Sequence, residues 1–277
     1  MKRIVLPVAV FLFSAIFIYS LRAQNFAKKP QEKISLSEPQ KSLVKGETLE
    51  YSVEWLGIPS GVIIFNVVGT FNYKGRECYY LKFWARLNNF FARFYDVEYN
   101  IESFVDVEHF YPYYYIKRSR YRNKLCVETI EFDRLANTAK TTIDGITEDL
   151  INSSLKNKVK QPRTSLINEK SLDPLSAIYF LRLQDIALNQ ETGFFIYHDR
   201  SNWQVSVKSD APYLRDLRRI GTLAIIELTP QSSLTGFVFG KNNANIYLTP
   251  DSRRIPVEFS ANTAIGFIRA RIKKIPN

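Results

Sequence analysis

Glu47-Thr48-Leu49-Glu50-Tyr51-Ser52-Val53-Glu54-Trp55 alternates without a break. Leu49, Tyr51, Val53 and Trp55 fall on one side of an extended chain, and Glu50, Ser52 and Glu54 on the other. Successive side chains of a strand point to opposite faces, so this two-residue period predicts a strand with one dry side and one wet side. Downstream the period returns, with Tyr95, Val97, Tyr99 and Ile101 set against Asp96, Glu98, Asn100 and Glu102. Between these two stretches, Leu56–Gly61 reads as a turn into a more fully apolar strand over 62–68. Asn72-Tyr73-Lys74-Gly75 then turns the chain into 77–85. Beyond them, 111–122 and 125–132 are joined at Asn123-Lys124, and Asp133–Asn137 leads into 138–143. Sixteen Tyr and twenty Phe suit the half-buried surface of a pleated sheet. Strands connected by so few residues form an antiparallel meander.

Residues 144–170 break this rhythm with Asn, Ser, Lys and Gln, and read as a mobile insertion. One helix follows. Ser171 or Asp173 can cap it, Pro174 suits its first turn, and Leu175, Ala177, Ile178 and Leu181 recur at helical spacing. Tyr179, Phe180 and Leu183 make it apolar nearly all round, which predicts a buried helix. Strands then resume at 193–198, 203–208, 223–228, 245–248, 255–260 and 266–273. The expected fold is mainly β: a large curved antiparallel sheet or partly open β-barrel of about a dozen strands with one inserted buried helix. A β-sandwich is the second choice.

The N-terminus places this domain. Lys2 and Arg3 precede an uncharged run from Ile4 to Tyr19, and Leu21-Arg22-Ala23 offers a small residue for cleavage. A run of about sixteen apolar residues is short of the roughly 20 that span a bilayer. Residues 1–23 therefore read as an export signal and the chain as periplasmic, an uncleaved N-terminal anchor being the alternative. Residues 24–42 read as a flexible leader, and 43–275 as a single β-rich domain. Losing Lys2, Arg3 and Arg22 from the 38 basic residues leaves 35 against 27 acidic, a net charge of +8. That balance favours anionic partners, and export argues against nucleic acid. Cys78 and Cys126 both fall in strand-like runs. In an oxidising compartment they are candidates for a disulfide, with two buried thiols as the alternative.

Several pieces of this chain resemble the domain of unknown function 3108 family of bacterial envelope proteins. They are Gly46-Glu47-Thr48-Leu49-Glu50-Tyr51, Ser60-Gly61, Glu131-Phe132-Asp133-Arg134, Asp173-Pro174-Leu175-Ser176-Ala177, and Gly266 near the end. The most specific is Thr249-Pro250-Asp251-Ser252-Arg253-Arg254-Ile255-Pro256-Val257. The resemblance implies an exported, mostly antiparallel β protein with a helix inserted midway, and carries no catalytic residues.

The residues themselves offer little chemistry. His109 and His198 are the only histidines, and neither has a metal-binding partner at helical spacing. No Gly-x-Ser-x-Gly elbow or phosphate-cradling glycine loop occurs, so no enzyme, metal or cofactor is expected. The candidate binding segment is the aromatic and basic strand at 111–122. Tyr114, Ile116, Arg118, Arg120 and Arg122 share one face, and Tyr111, Tyr113, Tyr115 and Tyr121 the other. Arginines at every second position suit phosphate or carboxylate oxygens, with Tyr113 and Tyr115 lining a cleft. The alternative is an arginine row paired with Asp96, Glu98 and Glu102 on the adjacent strand. A second candidate is Leu87–Tyr95, an aromatic loop suited to a membrane surface or a pocket mouth, or else a core-packing corner. The leading functional expectation is a non-enzymatic envelope protein that binds a lipid or other anionic amphiphile in a β-lined groove. The alternative is a structural or adaptor module contacting an envelope protein or glycan.

Overall fold

The computed structural model describes residues 37–40, 42–145, 162–186, 191–232, 244–263 and 266–276. The expected export signal and most of the leader lie outside the described residues, as does 146–161 of the expected insertion. The first half of the chain is the anticipated meander: β1 Thr48–Trp55, β2 Ile58–Tyr73, β3 Arg76–Leu87, β4 Val97–Asp106, β5 Pro112–Tyr121, β6 Lys124–Asp133 and β7 Thr138–Gly145. A one-turn helix, α1, spans Asn89–Ala92 between β3 and β4. Short β8 Arg163–Leu166 and β9 Ser171–Leu172 precede α2, Pro174–Leu183. The second half holds β10 Glu191–His198, β11 Ser201–Ser209, β12 Tyr213–Asp216, β13 Thr222–Ser232, β14 Ala244–Leu248, β15 Pro256–Thr263 and β16 Gly266–Ile272.

Every strand anticipated from alternation is present, with β8, β9 and β12 in addition. All join one mostly antiparallel sheet rather than two stacked ones, in the order β8-β7-β6-β5-β4-β3-β2-β1-β16-β15-β14-β13-β11-β10-β9, with β12 on β13. The two ends of the domain meet in mid-sheet, where β1 pairs β16 with Tyr51 opposite Ile272. Register shifts at Val53/Glu54, Val67/Gly69, Phe104/Val105 and Tyr247/Leu248 add the local twist by which a long sheet curls. Gly61 is required where β2 and β3 approach closely, because a Cβ there would lie 2.5 Å from the Arg86 carbonyl oxygen.

The sheet curls until its outer strands meet through side chains rather than a backbone ladder. Buried Thr141 of β7 and Tyr197 of β10 share a hydroxyl–hydroxyl bond of 3.2 Å. Arg134 Nη2 donates to both Pro112 O (2.7 Å) and Ser171 O (2.9 Å). Asn202 Nδ2 donates to Leu166 O at 2.7 Å. The result is an open, barrel-like sheet.

Helix α2 lies inside the curl. Asp173 caps it, its Oδ1 accepting from Leu175 N at 2.8 Å and Ser176 N at 2.9 Å, while Ser176 Oγ accepts from Asp173 N. Pro174 fills the first helical position, where no N–H is needed. No residue of the helix is exposed, as its all-round apolar sequence requires. Tyr179 meets Phe65 edge-on, and Phe65 packs against Phe83, Tyr51 and Phe259. Ser171, the other candidate cap, belongs to β9 instead.

Two expectations need correction, and one pair of readings is decided. The leader is not free throughout: Ser37 N donates to Pro250 O (3.1 Å) and Gln40 N to Ser252 O (2.8 Å), docking its last residues on a turn. The insertion is shorter than 144–170, because β7 runs to Gly145 and Arg163–Leu166 pairs with β7 as β8. Of the two readings of the cysteines, the alternative holds: Cys78 and Cys126 are both buried and are not bridged to each other. Cys126 sits opposite Ser119, Ser119 opposite Tyr99, and Tyr99 opposite Ala85, seven residues along β3 from Cys78. At strand spacing that is about 23 Å along the sheet and about 14 Å across it, far beyond bridging distance.

Candidate functional site

The arginine row lies on the outer face of β5 and meets an acidic row on β4. Register sets Arg120 opposite Glu98 and Arg118 opposite Asn100. Arg120 Nη2 donates to Glu98 Oε2 at 2.6 Å, and its Nη1 to Asp96 Oδ2 at 2.9 Å. Arg118 donates to Glu102, which also accepts from the Tyr80 hydroxyl. Trp84 Nε1 donates to Glu98 at 2.6 Å. Hydrogen bonds from Arg120 and Trp84 hold the Glu98 carboxyl below the usual carboxylate range. For Glu102, burial pushes upward, but the bonds from Tyr80 and Arg118 outweigh it and the carboxyl is lowered. Both acids stay charged at neutral pH, so the row is a cross-strand ion ladder and not an open anion cradle. Stacked Tyr80, Phe104 and Tyr73 continue the same outer face.

The five residues singled out on β5 are thus not gathered into one site. Tyr115 points inward and is fully buried. Tyr113 is half-buried beneath the Arg76 guanidinium. Arg118 and Arg120 belong to the ladder. Arg122, in the β5–β6 turn, is exposed and reaches Phe94 O at 3.5 Å.

That contact leads to the second candidate. Asn88 Oδ1 caps α1 by accepting from Phe91 N at 3.0 Å, and Asn88 N donates to Ser60 O at 2.9 Å. Asn88 Nδ2 donates to Pro59 O at 2.6 Å. Leu87 and Phe91 turn inward, with Phe91 5.8 Å from Trp55, so half of this stretch is the core-packing corner weighed above. Phe90 and Phe94 turn outward and touch each other at 5.8 Å. Leu56 of the β1–β2 turn and Ile58 at the start of β2 are exposed at the same end of the sheet, and Leu56 N is bonded to Phe267 O. The sequence singled out Leu87–Tyr95 but gave no signal that Leu56 and Ile58 join it, since only the pairing of β1–β2 with β3–β4 brings them together.

The Thr249–Val257 run is a junction. Thr249 Oγ1 donates to Asp251 Oδ1 and accepts from Ile255 N. Arg253 O accepts from Arg182 Nε of α2, and Pro256 O from the Tyr51 hydroxyl of β1. The nearly fully buried Arg254 donates to Pro250 O and Ser37 O. One turn thereby ties the helix, the first strand and the leader together. Next to it, Arg182 donates to both carboxylate oxygens of Glu47, whose side chain is 6% exposed.

Among the described residues no group of three His, Cys, Asp or Glu is placed to hold a metal. No helix of the described residues is long and apolar enough to cross a membrane. His109 lies in an exposed turn 3.4 Å from Asp106. Burial, then the charge of Lys117, pushes His198 down to about 4. An unfolded histidine titrates near 6.5, so between those values the unfolded chain takes up a proton that the folded one refuses. Stability should therefore fall as pH drops from about 6.5 to 4, by up to about 3 kcal/mol. Urea unfolding across that window should show the slope, and His198→Gln should flatten it.

A family model described as protein of unknown function (DUF3108) matches residues 50–273. The chain belongs to the DUF3108 family. The matched span runs from β1 to the end of β16, so the DUF3108 unit is the whole curled sheet with its internal helix. The chain is also similar to the crystal structure of a beta-barrel-like protein of domain of unknown function DUF1849 from Brucella abortus. Identity there is 8% over 82% of this chain and 95% of that one, with a TM-score of 0.49. No curated protein matches this DUF3108 chain.

Proposed function

We propose that this DUF3108 chain is an exported, non-enzymatic module of the cell envelope that acts through its outer surface on a neighbouring envelope component. The observation that carries this reading is α2. A sheet that carries an amphiphile needs an apolar hollow, and here the inside of the curl holds a helix with Tyr179, Leu175 and Leu181 buried in it. Those side chains take the place an acyl chain would occupy. The groove-binding expectation is therefore set below the adaptor one. Support for export comes from Lys2, Arg3 and the uncharged run that follows them.

Native mass spectrometry on the protein taken from the envelope fraction of its own host tests both parts together. The expected mass is that of a chain beginning at Gln24, with no bound amphiphile. A stoichiometric lipid adduct that disappears on organic extraction would restore the groove reading, and a chain confined to the cytosol would end the envelope one.

A further inference from the structure

We propose that the end of the sheet formed by the β1–β2 turn, the α1 loop and the β5–β6 turn docks on an anionic lipid bilayer. This deepens the surface-acting reading by naming the partner. Four large apolar side chains project there, each more than half exposed: Leu56 58%, Ile58 54%, Phe90 62% and Phe94 54%. Single exposed apolar residues are ordinary, but four on adjoining turns of one end are not. The turns are held as a unit by the Asn88–Ser60, Asn88–Pro59 and Arg122–Asp96 bonds.

Charge selects the partner. Arg93, Arg122 and Lys124 are exposed around these side chains. The acids at the start of β4, Asp96 and Glu98, share the single cation Arg120, which balances one of their two charges; Arg93, Arg122 and Lys124 outweigh the other. What remains is cationic, and it flanks aromatic and aliphatic tips, the combination that seats a protein in the headgroup layer of an anionic membrane. The apolar groups project from separate turns rather than lining a groove. A fluid interface accepts such projections one by one, whereas a folded protein would need a matching hollow for each. Each basic residue near an anionic surface contributes about fivefold to partitioning.

The test is co-sedimentation of the full chain with vesicles of phosphatidylglycerol and phosphatidylcholine, against vesicles of phosphatidylcholine alone. Variants are made in the same chain, so any contribution of residues 1–23 is common to all. Binding is expected to favour the anionic vesicles and to weaken with salt. Phe90→Ser/Phe94→Ser should reduce it at least tenfold, and Arg93→Gln/Arg122→Gln/Lys124→Gln about a hundredfold on anionic vesicles only. Leu135→Ser removes an exposed leucine from the β6–β7 turn, at the other end of its strand, and should bind like the parent. Urea midpoints matching the parent's will confirm that these surface variants fold. The proposal is overturned if the parent shows no preference for anionic vesicles, if the Phe90/Phe94 variant binds as the parent does, or if Leu135→Ser loses as much. In those cases the surface-acting envelope reading still stands or falls on the mass measurement above.

Discussion

The Arg182→Met protein should unfold about 3–5 kcal/mol more readily than the parent, as expected when one partner of a buried ion pair is removed. Arg182 is 1% exposed and lies against Glu47, its Nη1 and Nη2 donating to the two carboxylate oxygens at 2.5 and 2.7 Å. Methionine fills most of the arginine's volume, so a cavity is not the main cost. The cost is a carboxylate left in the interior without a cation, together with an Arg253 carbonyl that loses its 3.3 Å donor. Combining Arg182→Met with Glu47→Leu should recover most of the loss, because an apolar pair of similar size needs no compensation. Urea denaturation with an unchanged slope measures both. A single-variant shift below about 1 kcal/mol would mean that water reaches the pair.

Asp173→Ala is expected to cost about 3–5 kcal/mol, more than the roughly 1 kcal/mol of an ordinary N-cap. The excess comes from burial, since Asp173 is wholly inaccessible and serves three donors: the amides of Leu175 and Ser176 and the Ser103 hydroxyl at 2.6 Å. In the alanine variant those donors stay in an apolar interior without acceptors, at about 1–3 kcal/mol each before relaxation. Asp173→Asn keeps an oxygen for the two amides and should lose less than half as much. The two urea midpoints separate the cap from the Ser103 contact. Equal losses would assign the whole effect to charge.

These two positions show how far the sequence could be read. Asp173-Pro174 announced the helix start, because capping depends on residues within one turn. Most strands of eight residues or more announced themselves by alternation, since they have a wet and a dry side; β15, buried along almost its whole length, is the exception. The strands β8, β9 and β12 did not. They span four, two and four residues, too few to display a period. β12 also sets Arg215 against the buried Glu258 of β15, a contact between residues 43 apart. Arg182 and Glu47 are 135 residues apart, so nothing local marks them as partners. The arginine row of β5 was visible, and so were Asp96, Glu98 and Glu102 as its rivals. Choosing between ligand and ladder needed the register that puts Arg120 opposite Glu98. The placement of Cys78 and Cys126 likewise turned on register rather than on strand identity.

The pairing of β1 with β16 has a consequence for biogenesis. Its first and last strands are neighbours, so a nascent chain leaving the ribosome cannot zip the middle of its own ribbon until its final residues emerge. Until then β1 has a raw flank awaiting a mate more than two hundred residues downstream, and assembly of so remote a contact is slow. Under the export proposed above, that delay would keep the chain open for passage through a translocation pore.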